Sequence, residues 1–109
     1  MKESELQKAI INYLNKIGMF AWRNNVGAFA GTYKGKKRFI RFSPKGSGDI
    51  FAIDKEGRFH SIEIKSKGKN LTTDQHHWMD VVNEHRGYAF YVDSWELWES
   101  ICRDKGLPI

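Results

Sequence analysis

The chain has 109 residues, 40% of them hydrophobic and 28% charged, which suits one domain spanning 1–109 around one core and leaves no run near the ~18–20 apolar residues of a membrane span. The opening Met1-Lys2-Glu3-Ser4-Glu5 lacks the apolar centre of a signal peptide, and one cysteine, Cys102, excludes an internal disulfide framework and a Cys-rich zinc site, so a reducing, cytoplasmic setting is expected. The net charge of +5 is unevenly spread: residues 1–47 carry ten Lys/Arg against two Asp/Glu, and residues 48–109 carry eight against eleven. No carboxylate occurs between Glu5 and Asp49, a gap that suits a surface facing a polyanion, although a solvated basic face would look the same.

Leu6, Ile10, Leu14 and Ile17 recur at helical spacing and predict a helix over 3–17, stopped by Gly18. Residues 19–23 read as a first strand and the Gly/Asn-rich residues 24–32 as a loop. Thr32 to Phe42 reads as a basic hairpin turning at Gly35-Lys36. After a loop over 43–48, Asp49–Ile53 is an apolar strand opening on a carboxylate, and Arg58–Ser66 is the next strand. Thr72 caps a helix over 73–85, which Gly87 stops. Residues 88–92 form a last strand and residues 94–105 a last helix, with Trp95, Trp98 and Ile101 on one face. The expected class is α/β: a central mixed sheet flanked by helices, with an extra basic β-hairpin.

Asp49 and Glu63 stand on neighbouring predicted strands, about 4.8 Å apart, so both could hold one cation. Glu63 and Lys65 are two residues apart and face the same side, while Ile62 and Ile64 face the core. The backbone carbonyl of Ile64 lies between the two functional side chains and offers a third ligand. A hard divalent cation such as Mg²⁺, with Mn²⁺ as substitute, needs few protein carboxylates because it keeps several waters. Two carboxylates, a cation and a lysine are what phosphodiester hydrolysis needs near one phosphate. Glu63-Ile64-Lys65 is the only Asp/Glu-x-Lys triplet in the chain. The triplet alone would also fit a solvent-facing ion pair on an edge strand.

Asp49, followed after thirteen residues by Glu63-Ile64-Lys65, resembles the signature of the PD-(D/E)XK nuclease superfamily. The wider pattern is Glu3-x-x-Leu6-Gln7, Trp22-Arg23-Asn24, Lys45-Gly46-Ser47-Gly48-Asp49-Ile50, Ile62-Glu63-Ile64-Lys65-Ser66 and Leu71-x-x-x-Gln75-x-x-Trp78. It resembles the VRR-NUC branch (virus-type replication-repair nuclease), including its short stand-alone phage and bacterial members, and in outline archaeal Holliday junction resolvases. The resemblance implies a restriction-endonuclease-like core, with Asp49 and Glu63 as metal ligands and Lys65 as the catalytic lysine. It makes Glu3 the first-helix acid, with Glu5 as its rival; Glu3 and Gln7 share a helix face that Glu5 does not. Gln75 matches a family position near the metal, yet Thr72-Thr73-Asp74-Gln75 is also a capping box. The family usually carries Pro before the metal-binding Asp. Gly48 stands there instead, which bears on backbone rigidity and not on ligation.

Arg23, Asn24 and Asn25, the hairpin residues Lys36, Lys37 and Arg38, and Lys45, Lys67 and Lys69 are the candidate DNA contacts. His76 and His77, adjacent on a helix, point about 100° apart and read as solvated; His77, Asn83 and His85 would crowd one helix and do not form an HNH-type site. Trp78, Trp95 and Trp98 read as core or dimer contact. The expected function is a metal-dependent, structure-selective DNA endonuclease acting on branched or four-way junctions as a homodimer. A non-catalytic DNA-binding module, or an exonuclease or RNA-directed nuclease of the same fold, stays open at this point.

Overall fold

The computed structural model describes residues 1–24, 28–41 and 44–107, with residues 28–33 and 38–41 described by their backbone alone. In chain order the elements are α1 (Glu3–Lys16), β1 (Phe20–Arg23), β2 (Ala28–Tyr33), β3 (Lys36–Arg41), β4 (Ile50–Ile53), β5 (Phe59–Ile64), α2 (Thr73–Glu84), β6 (Tyr88–Val92) and α3 (Trp95–Lys105). Four strands form a mixed sheet in the order β1-β4-β5-β6. Pairing is antiparallel between β1 and β4 and between β4 and β5, and parallel between β5 and β6. This is the expected mixed sheet with helices on both sides, consistent with a nuclease-like core.

The two faces of the sheet follow from strand alternation. Ile50 and Ala52 of β4, and Ile62 and Ile64 of β5, pack with Leu6, Ile10 and Leu14 of α1 and Trp98 and Cys102 of α3. On the other face, Phe51 and Phe59 meet Trp78 of α2, with ring centres 5.9 and 6.3 Å away. Glu63 belongs to this second face, two residues from Ser61 and four from Phe59. Asp49 precedes β4 and Glu63 stands near the end of antiparallel β5, so both reach the same end of the sheet. The N-termini of α1 and α2 lie there too: Glu3 reaches Ser66, and Gln75 reaches Glu63.

The last two helices start where their caps stand. Thr72 and Gln75 close a full capping box at α2, and the Ser94 hydroxyl accepts from the Leu97 N–H at α3. Such caps contribute about 1 kcal/mol each. The strand boundaries differ slightly from the sequence reading. Asp49 lies one residue before β4, with its N–H still donating to the Ile62 carbonyl at 2.9 Å. Lys65 lies one residue past β5, with its N–H donating to the Val92 carbonyl at 2.9 Å. Both residues therefore stay in register with the sheet although neither is inside a strand.

The hairpin differs more. Its first arm begins at Ala28 and not at Thr32, and its turn is Lys34-Gly35, one residue earlier than expected. Lys34 has φ +49° and Gly35 φ +76°, the two positive angles of the tight turn whose twist suits two-residue hairpins. The expected contributions of Asn25, Phe42 and Ser43, and of the Arg38 and Arg41 side chains, fall outside the described residues. Strands β2 and β3 pair with each other and form a sheet of their own. The radius of gyration, 15.3 Å, exceeds the ~13 Å of a compact chain of this length, in keeping with a projecting arm.

Candidate active site

Asp49 and Glu63 share the wall of a cavity of about 480 Å³ with Glu3, Gln7, Arg23, Ile64, Lys65 and Lys69. Each carboxylate is held by one oxygen. Asp49 Oδ2 accepts from the Ile64 N–H at 2.7 Å. Glu63 Oε1 accepts from Gln75 Nε2 at 2.8 Å. The second oxygens, Asp49 Oδ1 and Glu63 Oε2, stand outside these hydrogen bonds. Glu63 is only 8% exposed.

Burial, then the charge of Asp49, drive Glu63 up from an ordinary value of 4.5 to about 8, against the lowering field of Lys65. Burial also raises Asp49; the Ile64 hydrogen bond works against it, and Glu3 adds to it. Two carboxylates that resist ionising together lack a positive charge between them. Lys65 does not supply it by contact: among the described residues no ion pair within 4.0 Å joins Lys65 to either acid. The donor set therefore fits a hard cation. Two anionic oxygens and the Ile64 carbonyl can bind it, with waters completing its shell. Among the described residues, no group of three His, Cys, Asp or Glu side chains could hold a metal ion.

The proton on Glu63 has a measurable consequence. Between pH 4.5 and about 8 the metal-free folded chain holds a proton that the unfolded chain has released, so stability falls as pH rises through that window. In chelator, the thermal midpoint should drop from pH 5 to pH 8, and Glu63→Gln should remove most of that drop. A divalent cation held by the two acids would displace the proton, so Mg²⁺ should raise the midpoint more at pH 8 than at pH 5. An equal midpoint at both pH values in chelator would mean that Glu63 holds no such proton.

Gln75 performs both jobs that its sequence position allowed. Its Oε1 accepts from the Thr72 N–H at 2.8 Å, closing the capping box, while its Nε2 holds Glu63. Glu3 lines the cavity and accepts a hydrogen bond from the Ser66 hydroxyl; its charge raises both Asp49 and Glu63. Glu5 is exposed and does not line the cavity. Glu3→Ala should therefore impair cleavage several-fold, and Glu5→Ala should leave it near wild type. Parallel rate measurements on the two variants decide this, and the reverse ranking would mean that the cavity is read from the wrong side of α1.

The loop before Asp49 is stiff for reasons the sequence did not display. A side chain at Gly48 would collide with the Ser61 hydroxyl and come within 3.0 Å of the Ile62 carbonyl. Asn24 Nδ2 donates to the Gly48 carbonyl at 2.8 Å and to the Ser47 hydroxyl at 3.1 Å. Trp78 Nε1 donates to Ser61 Oγ at 2.8 Å. Gly46, at φ +83°, lies against the backbone of Asp74 with no space for a Cβ. The rigidity that proline would supply comes here from close backbone packing and the Asn24 amide. Asn24, expected at the DNA, is thus half-buried and committed to the loop.

The other expected contacts fall at the acidic cavity, at a neighbouring one and on the exposed surface. Arg23 and Lys69 line the acidic cavity. Lys67 lines a neighbouring one, formed by the N-terminus of α1 and the start of α3. Lys45 is exposed and 3.2 Å from Asp74, a surface pair worth about 0–1 kcal/mol. Lys36 and Lys37 are exposed on the projecting hairpin. His76 and His77 are exposed, and Trp98 is in the core, as expected. Ser66, Ser61 and Asn24 were not given their supporting roles by sequence reasoning; their partners lie far away in the chain, and no spacing rule signals them.

The family model for the VRR-NUC domain matches residues 1–94. The chain belongs to the VRR-NUC domain family. Membership implies a nuclease-type, DNA-processing function. The match includes the Asp49 and Glu63 cavity, the hairpin and α2, and stops at the start of α3. Comparison with curated proteins and with solved structures found no match. Among the described residues no helix is long and apolar enough to cross a membrane.

Proposed function

We propose that this VRR-NUC chain is a Mg²⁺-dependent, structure-selective DNA endonuclease that cuts branched DNA, four-way junctions among it, as a homodimer in the cytoplasm. The pairing of half-buried Asp49 with buried Glu63 carries this reading, because two acids that resist ionising beside Lys65 make sense as a cation site facing a phosphate. A bound divalent cation there supplies charge neutralisation of the phosphate and orientation of a water. Asp49 and Glu63 would hold it, and Ile64 would add its carbonyl. Gln75 and the Ile64 N–H fix the two carboxylates so that neither swings away. Lys65 stands on the same face as Glu63, where it can take or give a proton at the attacking water or face the developing negative charge. Arg23 and Lys69 at the cavity wall meet the flanking phosphates.

Branched DNA is favoured over base-specific duplex by what the chain offers. Its cations are distributed over a hairpin and loops that suit backbone contact, and among the described residues no helix is presented as a major-groove reader. A junction needs two cuts, which a symmetric dimer supplies. The surface for it is the uncovered part of the second sheet face, where Phe20, Trp22 and Ile53 are 69, 36 and 42% exposed. Edge-to-edge pairing through β1 is blocked, because the Asn15 amide bonds both the N–H and the C=O of Ala21, at 2.8 and 3.0 Å. The partners would meet face on. The deciding experiment is cleavage of duplex, flap, fork, four-way and RNA substrates with Mg²⁺ or Mn²⁺ beside chelator controls; cutting without added metal, or a preference for linear duplex, would overturn the reading.

The hairpin gives a separate expected result. An isolated two-stranded hairpin is marginal in water, so a charged arm that stands off the core needs a partner to order it. Phosphates flanking the cut site fit. Each phosphate neutralised contributes ~0.9 to the slope of log affinity against log salt on duplex DNA. Lys36→Ala with Lys37→Ala should weaken binding and flatten that slope by roughly 2 units. An unchanged slope would move the DNA path to Arg23, Lys67 and Lys69.

A further inference from the structure

A second groove, of about 800 Å³, lies at the opposite end of α2, between its last turn, the β4–β5 turn and the start of β6. Its floor is aromatic. Phe59 and Trp78 meet edge to face at 6.3 Å; Tyr88 borders the groove, with its ring on the opposite sheet face against His60 and Phe90. Its rim carries two exposed cations, Arg58 and Arg86, together with exposed His85, and among the described residues no carboxylate lines it. The Arg58 Nη1 donates to the Tyr88 hydroxyl at 2.7 Å. Arg86 has φ +65°, a left-handed corner where glycine is the default. The fold thus carries a cation at a corner where a side chain costs conformational free energy.

The groove is aligned with the acidic cavity. Phe59, Ser61 and Glu63 alternate on one face of β5, so the aromatic floor begins four residues, about 13 Å, from Glu63. A stacked nucleic-acid strand advances about 3.4 Å per nucleotide, so a strand with a phosphate at Glu63 reaches the groove within about four nucleotides, along the flank of α2.

We propose that this groove takes unpaired nucleotides of the substrate, with bases against Phe59 and Trp78 and phosphates on Arg58 and Arg86. Every base has a flat face, so aromatic rings flanked by cations bind single strands with little regard to sequence. Duplex bases are already stacked and do not enter. This rests on the nuclease reading and gives it a physical source of preference for branched or frayed DNA, where unpaired nucleotides adjoin the cut.

Two variants test it. Arg86→Gly removes the cation and relieves the left-handed corner, so the fold is preserved. Val81→Glu adds a negative charge to the groove wall on a helix that accepts glutamate. Binding of a labelled short oligothymidine, and of a blunt duplex, is followed by fluorescence anisotropy in chelator. Arg86→Gly should weaken oligothymidine binding about tenfold and lower its salt slope by roughly 0.7, with duplex affinity unchanged; Val81→Glu should weaken it further. Unaltered oligothymidine binding in both variants, or an equal loss on duplex, would overturn the proposal. A shift in sedimentation with oligothymidine affinity intact would assign the groove to a second copy of the chain instead. Cleavage is scored separately. Groove-dependent binding in a chain that cuts nothing would overturn the nuclease reading alone, and cutting with groove-independent binding would overturn only this one.

Discussion

Asp49→Asn and Glu63→Gln should each abolish cleavage while leaving DNA affinity intact or raised. Both substitutions keep the shape of the side chain and remove the charge that a cation needs. Asparagine can still accept from the Ile64 N–H, and glutamine can still accept from Gln75, so the local hydrogen bonds survive. Burial drives both wild-type acids toward the neutral form, so their neutral replacements should not destabilise the metal-free chain. What is lost is transition-state charge stabilisation, several kcal/mol for a metal-assisted displacement, which is about 10³-fold or more in rate. DNA affinity should not fall, because one negative charge fewer beside the phosphates reduces repulsion. Single-turnover cleavage with saturating protein measures the chemical step apart from binding. Near wild-type rates for either variant would remove the metal-site assignment.

The parts of this fold that sequence reading found are the parts with a period or a cap. Leu6, Ile10 and Leu14 sit at helical spacing and are all buried in α1. Thr72 and Gln75 mark the start of α2 through the capping box, and Ser94 marks α3. Strand β2 was missed over Ala28–Gly31 because alanine and glycine have little strand preference of their own. Its extended form is set by pairing with β3, a partner some ten residues on, and local composition does not register it. The turn shifted by one residue for a related reason: Lys34 accepts a positive φ only because the flanking ladder requires it.

The site divides in the same way. Asp49, Glu63 and Lys65 are legible from spacing, since strand alternation and one short turn bring them to a common end. Gln75 was legible twice over and had to be read as one role or the other, whereas its amide has two ends and serves both. The supports were not legible. Ser66 meets Glu3 across 63 positions of chain, and Asn24 meets Gly48 across 24. Such contacts depend on how elements pack, and serine and asparagine are common enough in loops to carry no signal. Gly48 illustrates the same limit. Its resemblance-based reading concerned a missing proline, while its physical reason is the Ser61 hydroxyl and the Ile62 carbonyl lying where a side chain would go.

Lys65→Ala should lose most of the cleavage rate and keep the metal site. A positioned acid/base group is worth roughly 10²–10⁴-fold, and Lys65 stands where such a group is useful: half-buried, on the Glu63 face, its backbone tied to β6 through the Val92 carbonyl. It makes no direct ion pair with Asp49 or Glu63 among the described residues, so its removal breaks no contact that holds either carboxylate. Its field does lower both acids, which gives the prediction a second edge. Without that field the carboxylates hold their protons more firmly, while the divalent cation loses a repelling neighbour; the two effects oppose, so the metal site should persist at both pH 6 and pH 8. Calorimetric titration of Mn²⁺ into Lys65→Ala at the two pH values reads this directly, beside single-turnover rates at saturating metal. Loss of rate with a retained Mn²⁺ site is the expected pair of results. Absence of binding heat at both pH values would mean that Lys65 builds the site instead of acting in it, and a rate within a few-fold of wild type would leave the proton transfer to water alone.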